Sequence, residues 1–277
     1  MDQERADAYL AVIGVDRPKR PDLSALAELQ LGHLLAVPFE NLDIHLGRPI
    51  VPAEEPLLEK IVDRGRGGFC YELNGAFAAL LTALGFEVTL LSARVFGEAG
   101  LGIPFDHLAL RVDLDEPWLV DVGFGRFAHR PLRLTDRAEQ QDPGGRFQLV
   151  EREYGDLDVL MDGAPQYRME SRPRDLDDFT AACWYQQTSP QSHFTRSPLC
   201  SRLTRTGRTT LAGRTLVLTS DGERREQEIT DDAALLEAYR EHFGITLAEP
   251  PSPLVLRTGP VSATKEEAGG AAGRTEE

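Results

Sequence analysis

The spacing of apolar residues changes character at Phe86, and that change constrains the fold more than any other feature of this chain. Before it, apolar side chains recur every three or four residues: Tyr9, Leu10 and Ile13; Leu23, Leu26, Leu29 and Leu34; Leu57, Leu58, Ile61 and Val62. A stripe of that period covers one face of a helix, so residues 1–85 are expected to form a small helical bundle. A fourth helix starts near Cys70 and keeps Leu73, Phe77, Leu80, Leu81 and Leu84 on one face until Gly85, a residue suited to the left-handed position that closes helices. After Phe86 apolar and polar residues alternate, in Val88–Val95, Leu108–Leu114, Trp118–Val122, Phe147–Val150 and Val159–Met161, the pattern of antiparallel strands. A helix-like stretch around Leu176, Phe179 and Cys183 follows. The last unit is expected to hold two strands, Thr215–Thr219 and Arg225–Thr230, joined across Asp221-Gly222, and a helix carrying Leu235, Leu236, Tyr239 and Phe243. The fold class is therefore α+β, with units at residues 1–85, 86–192 and 193–260. Residues 261–277 are Ala, Gly, Glu and Thr with little to bury, and a disordered tail is expected there.

Composition narrows the function. No run approaches the ~20 apolar residues that cross a bilayer, and the start MDQERADAYL lacks the basic and then apolar layout of a signal peptide, so a cytoplasmic protein is expected. Cys70, Cys183 and Cys200 are odd in number and widely spaced, which points to neither a disulfide framework nor a CxxC metal site. A formal charge of -15 argues against a surface that coats nucleic acid or an anionic membrane. Small anionic ligands stay open, because screening over ~8 Å lets a local basic patch outweigh distant acids. His33, His45, His129, His193 and His242 lack metal-like spacing, and HExxH, Walker and GxGxxG motifs are absent. No metal and no tightly bound cofactor is expected, and the oligomeric state is not readable.

Three residues carry chemistry. The stretch Arg64-Gly-Arg-Gly-Gly-Phe-Cys70 sets a thiol where a glycine-rich turn enters a helix, and unpaired N–H groups at a helix N-terminus stabilise a thiolate. A lone cysteine there also reads as a buried structural residue, so its partners decide. His107 and Asp121 stand on segments expected to pair as a hairpin. With Asp113–Pro117 as a five-residue loop, Val112 faces Trp118, Leu110 faces Val120 and Leu108 faces Val122, so the apolar side chains share one face and His107 and Asp121 sit diagonally on the other. A three-residue loop is expected to separate that pair by about 13 Å at ~3.3 Å per residue. A His-Asp pair alone reads as a structural hydrogen bond; with Cys70 it reads as nucleophile, base and orienting acid.

These residues resemble the arylamine N-acetyltransferase family. The likeness rests on Val37-Pro-Phe-Glu-Asn-Leu42, Arg66-Gly-Gly-Phe-Cys70, Asn74, Asp106-His107, Val120-Asp-Val-Gly-Phe-Gly125 and Ser189-Pro-Gln-Ser-His-Phe194, which follow one another from about residue 37 to 194. The resemblance implies a helical bundle, a central antiparallel β-barrel and a C-terminal α/β lid, with a catalytic core like that of cysteine proteases and transglutaminases. It implies transfer of acetyl from acetyl-CoA to an arylamine or arylhydrazine through an acetyl-cysteine on Cys70, with His107 as base and Asp121 orienting it. Glu40 and Arg66 are then supports that pair around the nucleophile turn, and Tyr71 and Asn74 support the same helix. Phe39 and Phe124 are candidates to contact the acceptor ring, with core packing as the alternative, since in the hairpin register Phe124 falls on the apolar face with Val122. Arg126 follows Gly125 where the family often has a small residue, and narrows the site or contacts an anionic ligand. Two other activities fit a Cys, His, Asp order: an amide synthase closing a macrolactam from a polyketide thioester, and a cysteine hydrolase or transglutaminase-like enzyme.

Overall fold

The computed structural model describes residues 1–253. Helices dominate the first third: α1 (Gln3–Ile13), α2 (Leu23–Ala36), a short strand β1 (Phe39–Glu40), α3 (Leu42–His45), α4 (Glu54–Leu58) and α5 (Cys70–Ala83). Asp2 and Asp22 accept from the backbone N–H groups of Arg5 and Ala25 at the starts of α1 and α2. Ala6, Tyr9, Leu10, Leu26, Leu29, Leu57, Ile61, Leu73 and Phe77 close one core between these helices. The helix expected through Leu57–Val62 is α4 followed by a π-helical turn over Glu59–Asp63, which brings Lys60 into the interior with only 6% of its surface exposed. Gly85 follows α5 in the left-handed region, at φ 89°.

The middle of the chain forms an antiparallel sheet from β2 (Glu87–Gly97), β3 (Gly100–Leu101), β4 (His107–Asp113), β5 (Pro117–Val120), β6 (Leu132–Arg133), β7 (Gln140–Asp142), β8 (Gly145–Glu151), β9 (Leu157–Met161) and β10 (Ala164–Arg174). Its order is β6-β5-β4-β2-β10-β9-β8-β7, with β3 paired to β2. The two edges nearly meet. The Gln140 side chain stands in for a missing ladder rung, accepting from Arg133 N (2.8 Å) and donating to Arg133 O (3.0 Å), so the sheet comes close to a closed barrel. Leu91, Ala109, Leu119, Phe147, Val159, Tyr167 and Met169 fill the interior. Leu108, Leu110, Val112, Trp118 and Val120 point the opposite way and join the helical core.

The β4–β5 hairpin pairs Val112 with Trp118 and Leu110 with Val120, the register read from its apolar pattern. The ladder runs one pair further than expected, to Asp113 and Pro117, leaving Leu114–Glu116 as the connection. An added pair leaves the register unchanged, so the shorter loop does not separate His107 from Asp121; the expected separation of about 13 Å at ~3.3 Å per residue is wrong. Strand β10 was not expected, because Pro165 and Pro173 disguise it; the ladder slips beside both.

A 3₁₀ turn (Leu176–Phe179) leads into α6 (Thr180–Thr188). The C-terminal unit has four strands where two were expected: β11 (Leu199–Thr204), β12 (Gly207–Ala212), β13 (Thr215–Ser220) and β14 (Glu223–Glu228), followed by α7 (Asp232–Phe243). The sheet order β1-β11-β12-β13-β14 stitches Phe39 and Glu40 onto this unit. Its free edge β14 is charged and exposed along its length, which discourages pairing with other chains. The tail expected at residues 261–277 lies outside the described residues. Among the described residues no helix is long and apolar enough to cross a membrane.

Candidate active site

Helix α5 presents Cys70 at its first residue, and β4 presents His107 at its own. Both line one cavity of about 240 Å³, with Phe39, Asp106, Phe124 and Phe194 in its wall. Cys70 is 3% exposed and His107 2%, so both side chains are shielded from bulk water. The sulfur lies 4.0 Å from the Asp106 carbonyl oxygen. Burial pushes the Cys70 thiol well up, while a hydrogen bond from the Leu108 backbone N–H favours the thiolate and the carboxylates of Asp106 and Asp121 oppose it. A thiol in such a place needs a proton acceptor close by.

Asp121 supplies the other half of the arrangement. Its Oδ2 is 2.7 Å from His107 Nε2 and accepts from the Tyr167 hydroxyl at 3.2 Å; its Oδ1 accepts from Asn74 Nδ2 and from Gly123 N, each at 2.9 Å. Asp121 is 1% exposed. Four donors therefore satisfy a buried carboxylate and hold it in one orientation. With the proton on Nε2, His107 keeps its lone pair on Nδ1.

Helix and hairpin are fastened together by Asn74. From α5 it donates to Leu108 O (2.7 Å) and Asp121 Oδ1, and accepts from Val122 N (2.9 Å), so one side chain ties α5 to β4 and to the residues that follow β5. A second clasp is the Tyr71 hydroxyl, which donates to Phe105 O (2.8 Å) and Asp106 O (3.1 Å) and pins the residues before His107, where Phe105 adopts a left-handed φ of 60°. Gly123 completes the approach. A Cβ there would sit 2.7 Å from Asn74 Nδ2 and 2.8 Å from Cys70 Cα.

Phe124 departs from its expected place. Strand β5 ends at Val120, the alternation stops, and Phe124 turns onto the barrel side, its ring 5.1 Å from His107 and 5.1 Å from Tyr167. Phe39 lines the same cavity, its ring 6.2 Å from that of Phe194.

Beneath the turn that leads into Cys70 lies a buried charge network. Arg66 donates to Glu40 Oε1 through Nε (3.0 Å) and Nη2 (2.7 Å) and to Asp43 Oδ1 (3.1 Å); Lys60 Nζ reaches Asp43 Oδ2 (2.8 Å) and Glu72 Oε1 (2.6 Å). Glu72 Oε2 accepts from Phe69 N (3.1 Å), which ties the network to the start of α5. Three carboxylates face two cations. Burial, with Glu40 and Asp43 beside it, pushes the Glu72 carboxyl up to about 7 against the pull of Lys60. Sequence reasoning found Glu40 and Arg66 but missed Asp43, Lys60 and Glu72, since Lys60 enters the interior only through the π turn. Tyr167 was missed with its strand; the alternation of Tyr167 and Met169 was the available signal. Gln186, which donates to Asp106 Oδ1 at 2.5 Å, was missed too. Among the described residues no group of three His, Cys, Asp or Glu could hold a metal ion.

A family model described as N-acetyltransferase matches residues 22–251, and the class that this fold and site define is that of an acetyl-transferring enzyme. The chain is 36% identical over 254 residues to the arylamine N-acetyltransferase of Mycolicibacterium smegmatis, covering 87% of this chain and 92% of that one. It is 34% identical over 235 residues to an arylamine N-acetyltransferase / N-hydroxyarylamine O-acetyltransferase of Salmonella typhimurium, covering 81% and 83%. The solved structure of an arylamine N-acetyltransferase from Salmonella typhimurium superposes with a TM-score of 0.83 at 31% identity, covering 88% of this chain and 92% of that chain. That of Mycobacterium marinum in complex with CoA does so with 0.78 at 32%, covering 87% and 92%. The chain belongs to the arylamine N-acetyltransferase family. Neither the macrolactam-forming nor the hydrolase and transglutaminase-like alternative draws support from these likenesses.

Proposed function

We propose that this protein moves an acetyl group from acetyl-CoA to the nitrogen of an arylamine or arylhydrazine in two half-reactions joined by an acetyl-cysteine at Cys70. The observation that carries the reading is that Cys70 and His107 line one cavity while Asp121 holds the imidazole by Nε2, which leaves Nδ1 as the second ring nitrogen. The Mycobacterium marinum relative solved in complex with CoA supports the choice of donor.

In the first half-reaction His107 Nδ1 takes the Cys70 proton, and the sulfur attacks the thioester carbonyl carbon. The carbon–sulfur bond to coenzyme A breaks, and the leaving thiolate recovers the proton from the imidazolium. In the second, the amine nitrogen attacks the acetyl-cysteine carbonyl, His107 takes the amine proton, and the carbon–sulfur bond breaks as the Cys70 sulfur leaves and recovers that proton from the imidazolium. Asp121 stabilises the imidazolium each time. The Cys70 N–H, in the first turn of α5 and without an intrahelical acceptor, is the candidate donor to the oxyanion. Phe39 and Phe124 offer aromatic walls to a flat acceptor, and a volume of about 240 Å³ suits a small one. Glu40 and Arg66 hold the turn that carries the thiol. A reducing, cytoplasmic setting is consistent with three cysteines that are all free.

Mass spectrometry after mixing with acetyl-CoA in the absence of an acceptor tests the reading. One added acetyl on the peptide carrying Cys70 is expected, lost on addition of an arylamine and absent in Cys70→Ser. Turnover with no acetyl on that peptide would refute it.

A further inference from the structure

Most arginines of this acidic protein sit against carboxylates, as Arg66 does with Glu40 and Arg168 with Asp158. Arg126 and Arg208 are among those that do not. Among the described residues neither has a carboxylate partner. The polar contact of Arg208 is with a hydroxyl, Nη1 donating to Ser201 Oγ at 3.1 Å. Arg208 is half-buried, and burial together with the neighbouring charge of Arg126 lowers its pKa to about 10. Its field also bears on His129. Arg126 is exposed, and its charge reaches the half-buried Arg208, so the two like charges repel with no carboxylate beside either to offset them.

Their position says which anion. Ser201 pairs across the β1–β11 ladder with Phe39, which lines the thiol cavity, and Leu199 lines it two residues earlier. Arg126 follows Gly125, whose Cβ position would lie 3.8 Å from the Phe39 ring; Gly123 and Phe124 just before it line the cavity. Directly opposite residues share a face, so Phe39, Ser201 and Arg208 lie on one side of the C-terminal sheet, and the pair stands beside the Phe39 wall on the seam between that sheet and the barrel. We infer that Arg126 and Arg208 form an anion subsite at the rim of the thiol cavity that takes a phosphate group of the coenzyme A part of the acyl donor, an inference that rests on the acetyl-CoA reaction proposed above. A guanidinium fork matches phosphate oxygens two at a time, and screening over ~8 Å confines the attraction to the rim despite the net charge of -15.

The test compares donors with and without phosphate. For the wild type, Arg126→Gln, Arg208→Gln and Arg208→Lys, kcat/KM is measured with acetyl-CoA, acetyl-3′-dephospho-CoA and p-nitrophenyl acetate at a fixed arylamine concentration. The ratio of the acetyl-CoA value to the p-nitrophenyl acetate value should fall at least tenfold in each Gln variant, through KM, and recover in part in Arg208→Lys. A loss that persists with acetyl-3′-dephospho-CoA supports contact with the diphosphate; one that vanishes supports contact with the 3′-phosphate. Ratios within twofold of wild type in both Gln variants overturn the subsite. If Arg208→Gln does not melt cooperatively, the exposed Arg126→Gln decides the outcome alone. A wild type that transfers acetyl from p-nitrophenyl acetate but from neither acetyl-CoA nor acetyl-3′-dephospho-CoA refutes the acetyl-CoA reading itself, and the subsite with it.

Discussion

Replacing Asp121 by Asn exchanges one oxygen of the carboxylate for an NH₂ group, and the four donors around it dictate where that NH₂ goes. Asn74 Nδ2 and Gly123 N both point at Oδ1; the backbone N–H cannot turn, and Asn74 is held by Leu108 O and Val122 N. The amide oxygen must therefore take the Oδ1 place, and the NH₂ faces His107 Nε2 and the Tyr167 hydroxyl. The tyrosine can rotate its hydrogen and accept. The imidazole can accept on Nε2 only by moving its proton to Nδ1, which removes the lone pair that would take the Cys70 proton. Loss of the imidazolium's countercharge adds to the effect. In a triad with the same logic a wrong tautomer lowers the rate by about 10⁴, or roughly 5.5 kcal/mol of barrier. We expect the single-turnover rate of coenzyme A thiol release, followed with a thiol reagent, to fall by about that factor. The thermal midpoint should drop by only a few degrees, because Asn74 and Gly123 keep their acceptor while the Tyr167 hydroxyl and the imidazole exchange a donated bond for an accepted one. A variant that retains more than about a tenth of the wild-type rate would show that Asp121 is only a structural acceptor, since a loss below about 1.4 kcal/mol needs no tautomer change.

Two further outcomes follow from the buried groups. Glu72 has a folded-state pKa raised to about 7, above the ordinary carboxyl value of 4.5, so the stability it contributes is fully present below about 4.5 and lost as pH rises through about 7. The linked loss is about 3 kcal/mol, and Glu72→Gln should flatten the fall in denaturant-unfolding free energy between these pH values; an unchanged slope would contradict the assignment. Gly123→Ala forces a methyl group to within 2.8 Å of Cys70 Cα and should cost about 1–3 kcal/mol of stability, together with much of the activity; a variant as stable and active as wild type would mean that helix and strand separate easily there.

The sequence by itself determined the local geometry. Period-3.6 stripes specified the helices, and the start of α5 at Cys70 followed from the glycine-rich turn before it. In the β4–β5 hairpin a one-residue slip would have exposed Leu108, Leu110 and Trp118, so burial of one face was enough to set the register and to bring His107 toward Asp121. Only the tertiary structure decided what meets across distance. Tyr167 reaches Asp121 from a strand broken up by prolines, Lys60 enters the interior through a π turn, and Phe124 swings to His107 where the strand has ended. Strands β11 and β12 went unread because their apolar residues are few and their partners include Phe39, some 160 residues earlier in the chain. Periodicity records which face of a segment is buried; it carries no record of which other segment buries it, and the hydrogen bonds around Asp121 are made by side chains whose proximity comes from packing alone.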